Sequence, residues 1–368
     1  MSPIICKNCN RPFPDAGAPY RCQKCGGLYD YQSHLLFDPD LVEDSQPGIW
    51  KYRNTFGKLK NCEPLSLNEG NTPLIWKELN GLKVGFKCEN KNPTGSFKDR
   101  GSSLITAFLR SKKVTDCIED SSGNAGASLA AYTATAGIKL KVFVPEAATE
   151  MKKKLIRDYG AELIAVDGSR SEVHQVIKNA ADRGETYASH AFLPFNLPGY
   201  ATIAYEIVEQ MKCNTPHAII VPVGQGGLLL GMYRGFEAMK IAGIISNIPK
   251  FIGVQARACA PLWSLFNGGI DGYRFATDNS TLAEGVRVWH PVRGDDVLNA
   301  VGSSHGLFAA VDENEIIADM QEMAEYGFLV EPTSALVWSA LRQYKDVLEG
   351  STIMILTGSS LDEKTITN

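Results

Sequence analysis

The stretch that decides the fold is Ala218–Leu228, AIIVPVGQGGL. Its apolar run from Ala218 to Val223 predicts a buried strand, and a segment of helical period follows from about Leu228 to Met239. The glycines between them allow backbone amides to approach a phosphate closely. Because the glycines are spaced GxGG and no GK[ST] element follows, the turn is neither a Rossmann fingerprint nor a P-loop. It predicts a strand, an anion-binding turn and a helix.

The same alternation extends outward from this stretch, beginning at about residue 82. We predict further strands at Lys83–Cys88, Asp116–Asp120, Leu140–Val144, Leu163–Val166, Phe251–Gln255 and Thr352–Leu356, and helices at Ala125–Ala136 and Lys152–Tyr159. Alternating strands and helices are typical of open parallel-sheet α/β domains, and more than 270 residues of them favour two sheets. Ligands of such sheets bind at the carboxyl ends of the strands.

Composition limits the functional classes. The chain has 368 residues, is 44% hydrophobic and 21% charged, and carries a formal charge of −4. These values exclude a disordered chain and argue against a nucleic-acid-binding protein, which usually has a basic surplus. We find no secretory signal and no apolar run near the roughly 18 residues that span a bilayer. The sequence therefore predicts a cytoplasmic protein without a membrane partner.

Four of the nine cysteines lie within the first 25 residues, as Cys6-x2-Cys9 and Cys22-x2-Cys25. Two such pairs can present four thiolates to one zinc ion, and a complete set of cysteine ligands leaves no open position for catalysis. The spacing predicts a small zinc-ribbon-like module with a structural Zn²⁺. Two reduced, metal-free pairs, or a vestigial ribbon that loses its metal on purification, are the alternatives.

The most informative motif is Asn92–Gly101, NPTGSFKDRG. Pro93 and Gly95 predict a turn, Ser96 is a candidate helix cap, and Lys98 then falls in the first helical turn. A positive charge is disfavoured at a helix N-terminus, so the Lys98 amine is a candidate nucleophile for a carbonyl. A solvated surface lysine is the alternative for this residue taken alone.

Two more turns follow predicted strands. Ser121-Ser122-Gly123-Asn124 would offer hydroxyls and backbone N–H groups to an anion such as a substrate carboxylate. Thr357-Gly358-Ser359 follows the strand near the C-terminus, where a hydroxyl can bond a heterocyclic nitrogen. An ordinary capped turn is the alternative for each.

Taken together, these motifs resemble the tryptophan-synthase-β-like (fold type II) family of pyridoxal-phosphate enzymes, and within it the threonine synthases. The resemblance covers residues 69 to 360, and threonine synthases also occur with a Cys-rich N-terminal ribbon. The matching motifs, in the family's order, are Glu69–Leu74 (EGNTPL), NPTGSFKDRG, SSGNAGAS, PVGQGG, Glu331–Ala335 (EPTSA) and TGSS.

The resemblance implies a role for each motif. Lys98 would form the Schiff base with pyridoxal phosphate, and Asn124 would bond the phenolic oxygen of the cofactor. Thr357 would meet its pyridine nitrogen, and Phe97 and Glu331 would lie near it. The remaining implied residues are Gly224, Gln225, Gly226, Gly227 and Leu228 for the cofactor phosphate, and Ser121, Ser122 and Gly123 for the substrate carboxylate.

The resemblance also implies an organisation and a reaction. We expect a ribbon over residues 1–45, a large cofactor-binding α/β domain over 46–105 and 203–368, and a small α/β domain over 106–202. The reaction would be that of a lyase converting O-phospho-L-homoserine and water to L-threonine and phosphate. The alternative is β-replacement or elimination on O-phosphoserine, serine or threonine. Homodimers are common in the family, so a homodimer is expected.

Two positions depart from the family pattern. A segment that ends in two acids, Ser360-Leu361-Asp362-Glu363, stands where many threonine synthases carry a lysine, and Pro198–Thr202 also has none. A dianionic phosphate requires compensating cations. The candidates near the substrate turn are Lys152, Lys153, Lys154 and Arg157, of which we select Lys154; the solvated face of a helix is the alternative.

Overall fold

The computed structural model describes residues 3–79, 81–148, 150–168 and 170–360. The chain forms two compact units: unit 1 is Met1–Gly70 with Lys98–Tyr200, and unit 2 is Asn71–Phe97 with Ala201–Asn368. These bounds differ from the expected ones, because residues 1–45 do not stand apart and residues 46–70 and 98–105 also belong to unit 1. Contacts within unit 1 explain the difference, since Ser103 Oγ donates to Leu65 O and accepts from Trp50 Nε1.

The sheet of unit 1 is parallel, in the order β5 (Asp116–Glu119), β6 (Lys139–Pro145), β7 (Glu162–Val166). The alternating sequence of β6 explains its alternating burial. The helices of this unit are α1 (Lys98–Ser111), α2 (Asn124–Ala136), α3 (Glu150–Asp158) and α4 (Arg170–Asp182). The Ala-rich α2 ends at Gly137, whose φ of 69° is the left-handed conformation that glycine favours at helix ends.

The N-terminal ribbon is an antiparallel pair, β1 (Ile4–Cys6) and β2 (Tyr29–Tyr31). Phe13 lies edge-on against Phe108 of α1 and Phe195, with ring centroids 5.7 and 5.2 Å away. Arg21 makes two 2.8 Å hydrogen bonds to the Asp182 carboxylate at the end of α4. The ribbon therefore packs as a part of unit 1.

Unit 2 is built on a six-stranded sheet. Its strands, in spatial order, are β10 (Leu307–Val311), β9 (Lys250–Ala256), β8 (Ala218–Pro222), β11 (Thr352–Ile355), β4 (Leu82–Lys87) and β3 (Leu74–Leu79). All neighbours are parallel except β3, which pairs antiparallel with β4. Only two residues separate β3 from β4, and a parallel crossover needs a dozen or more. The sheet is therefore mixed at this edge.

Helices pack against the apolar residues of this sheet. They are α6 (Gly227–Ile241), α7 (Pro261–Tyr273), α8 (Gly294–Ser303), α9 (Glu313–Glu325) and α10 (Pro332–Tyr344), while α5 (Leu197–Gln210) contains the boundary between the units. Fully buried Val84, Ile220, Val254 and Leu336 belong to one continuous core. Short 3-10 helices occupy Pro39–Leu41, Gly48–Thr55, Gly57–Asn61, Glu89–Lys91, Pro194–Asn196, Arg257–Cys259, Glu284–Val286 and Lys345–Val347.

None of the helices in the described part of the chain combines the length and the apolar character that crossing a bilayer demands.

Candidate active site

Three adjacent parallel strands of unit 2 carry the motifs of this unit. β8, β11 and β4 are neighbours, so their carboxyl ends lie along one edge of the sheet. The glycine turn follows β8, Thr357–Ser359 follows β11, and the segment from Cys88 to Phe97 follows β4. This is the edge at which open α/β sheets bind their ligands.

The glycine turn ends at the first residue of α6, Gly227. Its N-cap, Gly226, has a φ of 82° and makes no side-chain cap hydrogen bond. A Cβ built on Gly226 would lie 2.3 Å from Val297 Cγ2, and one on Gly224 would lie 2.6 Å from Gly285 O. Both positions therefore require glycine, and the helix N-terminus keeps backbone N–H groups for an anion. Gln225 Oε1 accepts from Val292 N at 3.1 Å.

Thr357 lies against the start of α10. Its Oγ1 is 2.8 Å from Ser334 Oγ and donates at 3.4 Å to Glu331 Oε1, the N-cap residue of α10. Gly358 N donates to Ser334 Oγ at 2.9 Å, and Glu331 N donates to Gly358 O at 3.1 Å. Two motifs separated by more than 20 residues therefore form one buried cluster, with Thr357 only 2% exposed.

The turn that precedes the lysine is joined to the same cluster. Phe97 N donates to Thr357 O at 3.0 Å, and Ser359 N donates to Gly95 O at 2.9 Å. Gly95 has a φ of 85°, and a Cβ there would lie 2.6 Å from Ser359 Oγ, so glycine is required. The predicted turn at Pro93–Gly95 is confirmed.

Lys98 is the first residue of α1, as the sequence predicts. The prediction that Ser96 caps this helix is wrong. Ser96 is fully buried in a bridge with Gly358, and its hydroxyl makes no hydrogen bond to any described residue. A buried hydroxyl in this state usually has a ligand or water as its partner.

The Ser121–Asn124 turn follows β5 and begins α2 in unit 1. Gly123 is the N-cap of α2, makes no side-chain cap hydrogen bond and donates its N–H to Ser121 Oγ at 3.3 Å. A Cβ on Gly126 would lie 1.9 Å from Ser121 O, so the helix packs closely on its own turn. Ser122, Gly123 and Asn124 are half-buried, which leaves the N-terminus of α2 open to a small anion.

The cations of α3 whose side chains the structure describes are already paired. Lys154 is 71% exposed and its Nζ lies 2.5 Å from Asp158 Oδ2. Lys153 Nζ donates to Glu146 O and to Glu150 Oε1, and Arg157 pairs with Glu150 at 3.2 Å. The side chain of Lys152 and residues Leu361, Asp362 and Glu363 lie outside the described residues. The role of Lys154 in substrate binding stays a prediction.

Unit 2 contains a buried ion pair that no sequence motif predicts. Lys87 is fully buried, and its Nζ donates to Glu206 Oε2 at 2.7 Å, Gln210 Oε1 at 3.1 Å and Thr72 O at 2.8 Å. Glu206 Oε1 accepts from Asn71 N. A buried charge is tolerated when its hydrogen-bonding capacity is filled in this way. The network fixes the Asn71–Thr72 turn beside β4.

Two of the buried ionisable groups of unit 1, Glu69 and His190, have shifted pKa values. Glu69 is fully buried and accepts from Tyr132 OH at 2.7 Å; burial raises its pKa to about 7 against the lowering effect of that hydrogen bond. His190 is 8% exposed, and its pKa lies well below the usual range because of burial and, secondarily, the charge of Lys98. The sequence does not single out His190, because the histidines share no ligand spacing.

The four N-terminal cysteines converge as predicted. Their Sγ atoms lie within 4.8 Å of one another, with Cys6 and Cys25 3.5 Å apart and Cys9 and Cys22 3.7 Å apart. Four thiolates at about 2.3 Å from a tetrahedral zinc ion lie about 3.8 Å apart. The cluster could therefore hold a metal ion of this kind.

The sequence of this chain is similar to those of known enzymes. The family model described as "Pyridoxal-phosphate dependent enzyme" matches residues 65–358. The threonine synthase of Methanosarcina acetivorans is 30% identical over 99% of this chain and 93% of that protein. The threonine synthase of Methanocaldococcus jannaschii is 33% identical over 94% of this chain and 87% of that protein.

Solved structures agree with the fold. Maize serine racemase superposes with a TM-score of 0.69 at 23% identity, covering 80% of this chain and 90% of that one. The solved T.th. threonine deaminase has a TM-score of 0.65 at 26% identity, covering 79% of this chain and 93% of that one. The match over four-fifths of the sequence, together with the fold type II architecture, shows that this chain belongs to the family of pyridoxal-phosphate-dependent enzymes.

Proposed function

We propose that this protein is a threonine synthase, a pyridoxal-phosphate-dependent lyase that converts O-phospho-L-homoserine and water to L-threonine and phosphate. The observation that carries the proposal is the similarity to threonine synthases over 94% and 99% of the chain. In the described residues, the predicted lysine stands at a helix N-terminus.

The residues present fit pyridoxal phosphate. The turn of Gly224, Gln225, Gly226, Gly227 and Leu228 ends in a helix N-terminus without a side-chain cap, which suits a phosphate. The buried Ser96 hydroxyl lacks a partner among the described residues, in the turn just before Lys98. Thr357 Oγ1 is buried and fixed by Ser334, which suits a neutral hydrogen bond to a pyridine nitrogen.

When bound, the cofactor withdraws electrons from the substrate α-carbon. Lys98 would hold it covalently through Nζ and, once released, would carry protons between substrate carbons. Asn124 would bond its phenolic oxygen, while Phe97 and Glu331 would border it. Ser121, Ser122 and Gly123 would bind the substrate carboxylate, and Lys154 remains our candidate for its phosphate. These assignments rest on matching motifs and on local geometry.

Elimination or β-replacement on O-phosphoserine, serine or threonine is the second candidate function. One observation favours its unphosphorylated substrates, serine and threonine: Lys153, Lys154 and Arg157 each already pair with an acidic side chain. A phosphorylated substrate would have to displace those acids from its cations. A neutral hydroxyl leaving group has no such requirement.

A spectrum and a substrate panel test the proposal. We expect an absorbance band of a lysine-bound cofactor, and phosphate and threonine from O-phospho-L-homoserine in equal amounts. Lys98→Ala should lose both band and activity, while Lys91→Ala, an exposed lysine seven residues earlier, should keep both. Phosphate from O-phosphoserine alone, or ammonia from serine or threonine alone, would replace the primary function with the second.

We also propose that Cys6, Cys9, Cys22 and Cys25 bind a structural Zn²⁺. Protein purified without chelator should contain one zinc per chain, and Cys9→Ser should lower that content and destabilise unit 1. Cys213→Ser, which changes an exposed thiol in unit 2, serves as the control. Full zinc content in Cys9→Ser would remove the assignment. A homodimer and a cytoplasmic location remain our proposals for assembly and compartment.

A further inference from the structure

The side chain of Asp120 is held at the point where β5 ends and the carboxylate turn (Ser121–Gly123) begins. Asp120 follows the last residue of β5 and directly precedes Ser121. Its Oδ1 accepts from Tyr187 OH at 2.8 Å, and its Oδ2 lies 2.9 Å from His174 Nδ1. An ionised carboxylate only accepts, so the imidazole of His174 donates through its Nδ1–H. Both oxygens of Asp120 are therefore bonded to side chains that are distant in sequence.

Tyr187 is fixed to the same strand by its backbone. It forms a parallel bridge with Ile118 of β5. Ile118 N donates to Thr186 O at 2.8 Å, and Ala188 N donates to Ile118 O at 2.9 Å. Burial and, after it, the negative charge of Asp120 raise the pKa of the Tyr187 hydroxyl well above its usual range. The hydroxyl therefore keeps its proton and remains a donor to Asp120.

Aromatic contacts hold both donors in place. The imidazole of His174, on α4, stacks on Phe192, with ring centroids 6.1 Å apart and an angle of 13° between the ring planes. Tyr20 of the N-terminal ribbon packs against Tyr187 and Phe192, at centroid distances of 5.3 and 5.1 Å. Because each donor is packed against another ring, the pair restrains Asp120 and does not follow its motion.

The carboxylate turn needs an external restraint of this kind. The hydrogen bond within it, from Gly123 N to Ser121 Oγ, is long at 3.3 Å, and Gly123 caps α2 without a side-chain hydrogen bond. A turn that binds an anion through its backbone has to keep its N–H groups in one place. A displacement of about 1 Å in such a site can cost about a hundredfold in rate.

We propose that Asp120 is a positioning residue for substrate binding: Tyr187 and His174 hold its carboxylate, and this fixes the path of the chain from β5 into the carboxylate turn. The inference rests on the proposed function, in which that turn binds the α-carboxylate of the substrate. Asp120 acts through the backbone, since both of its oxygens already accept hydrogen bonds from the protein.

The test compares two substitutions of nearly the same size in the full-length chain. His174→Asn keeps an N–H donor close to the position of Nδ1, whereas His174→Leu has none. Loss of a hydrogen bond to a charged group should make backbone hydrogen exchange of the carboxylate turn about tenfold faster in His174→Leu. Since ground state and transition state share the α-carboxylate, KM should also rise about tenfold while kcat stays within about twofold. His174→Asn should stay close to the parent in both measurements.

Matched variants separate this role from a merely structural one. Gln175→Leu removes the hydrogen bond that the next residue of α4 makes to Asn179, and it should change neither quantity. Tyr187→Phe removes the other donor and should change both quantities in the same direction as His174→Leu. The proposal is overturned if the carboxylate turn of His174→Leu exchanges like the parent, and equally if exchange rises to the same extent throughout unit 1.

The two readouts also distinguish this inference from the proposed function. Hydrogen exchange needs neither cofactor nor substrate, so it measures the restraint on the turn directly. If the proposed function fails, the parent forms no lysine-bound absorbance band with pyridoxal phosphate or turns over no amino acid of the substrate panel. Faster exchange of the turn in His174→Leu with an unchanged KM would show that the turn is held for another purpose, and would also overturn the proposal.

Discussion

The turns that begin α2 in unit 1 and α6 in unit 2 have the same plan but different reasons for their glycines. Each follows a parallel strand, and each helix has a glycine N-cap without a side-chain hydrogen bond. Gly226 has a φ of 82° and Val297 within 2.3 Å of a built Cβ. Gly123 has a φ of −105°, and apart from its chain neighbours and the backbone of its own helix no heavy atom of the described residues lies within 4 Å of its built Cβ.

The fold requires glycine at position 226, whereas at position 123 only a bound ligand would require it. At Gly226 a side chain would be strained by the backbone and would overlap the core. At Gly123 neither effect operates, so the protein itself does not require glycine. The open space beside Gly123 would let the proposed substrate carboxylate approach the backbone.

The largest expected effect is that of Gly226→Ala. The left-handed backbone costs about 1–2 kcal/mol and the overlap with Val297 about 1–3 kcal/mol, so we expect a loss of about 2–5 kcal/mol in the free energy of unfolding. The start of α6 should also shift, which weakens cofactor binding at least about tenfold. Urea unfolding and absorbance titration with pyridoxal phosphate measure the two quantities.

A second substitution divides this loss into its parts. Gly226→Ala with Val297→Ala removes the overlap but keeps the backbone strain, so Gly226→Ala should cost less stability in a Val297→Ala background than in the parent. If Gly226→Ala alone unfolds like the parent, the turn does not require glycine and the contrast with Gly123 disappears.

Local sequence is enough to predict the strands that precede both turns. β8 (Ala218–Pro222) and β5 (Asp116–Glu119) lie within one residue of their predicted bounds, because apolar runs ending at small polar residues have few other structures. β10 is not predicted, since its sequence LFAAV contains few of the β-branched residues that favour strands. β3 escapes prediction because apolar and polar residues do not alternate cleanly in its sequence, LIWKEL.

The chemistry inside the units is harder to predict, because it depends on partners distant in sequence. Lys87 bonds Glu206, 119 residues away, and Ser102 bonds His190, 88 residues away. Neither pair has a spacing that a motif can encode. The prediction that Ser96 caps a helix fails for a similar reason. Ser96 forms a bridge with Gly358, which lies 262 positions later in the chain.

The stability of unit 1 should also depend on pH, because Tyr132 of α2 donates a hydrogen bond to the Glu69 carboxyl. The pKa of Glu69 rises from 4.5 to about 7 on folding, mainly through burial. Between these two pH values Glu69 is protonated in the folded state and ionised in the unfolded state. The free energy of unfolding should therefore fall by about 3 kcal/mol as pH rises from about 4 to about 8. Glu69→Gln, which cannot ionise, should remove that slope in urea unfolding.

The exposed Glu185 of unit 1 gives the matched control, and Glu185→Gln should keep the parental slope. If the stability of Glu69→Gln still falls by the parental amount as pH rises, the slope does not come from Glu69. The protonated Glu69 carboxyl would then not be what stabilises its contact with α2.

Gly123→Ala has the smallest expected effect on stability and distinguishes best between the two turns. Since the added methyl group meets open space and the backbone φ is negative, the free energy of unfolding should stay within about 0.5 kcal/mol of the parent. The methyl group would occupy the approach of the substrate carboxylate, so KM should rise about tenfold while cofactor binding is unchanged. Gly137→Ala, at the other end of α2, has a φ of 69° and should show the opposite result, with stability lost and KM kept. An unchanged KM in Gly123→Ala would show that the space beside Gly123 belongs to no ligand, and the carboxylate site would then have to lie elsewhere than the N-terminus of α2.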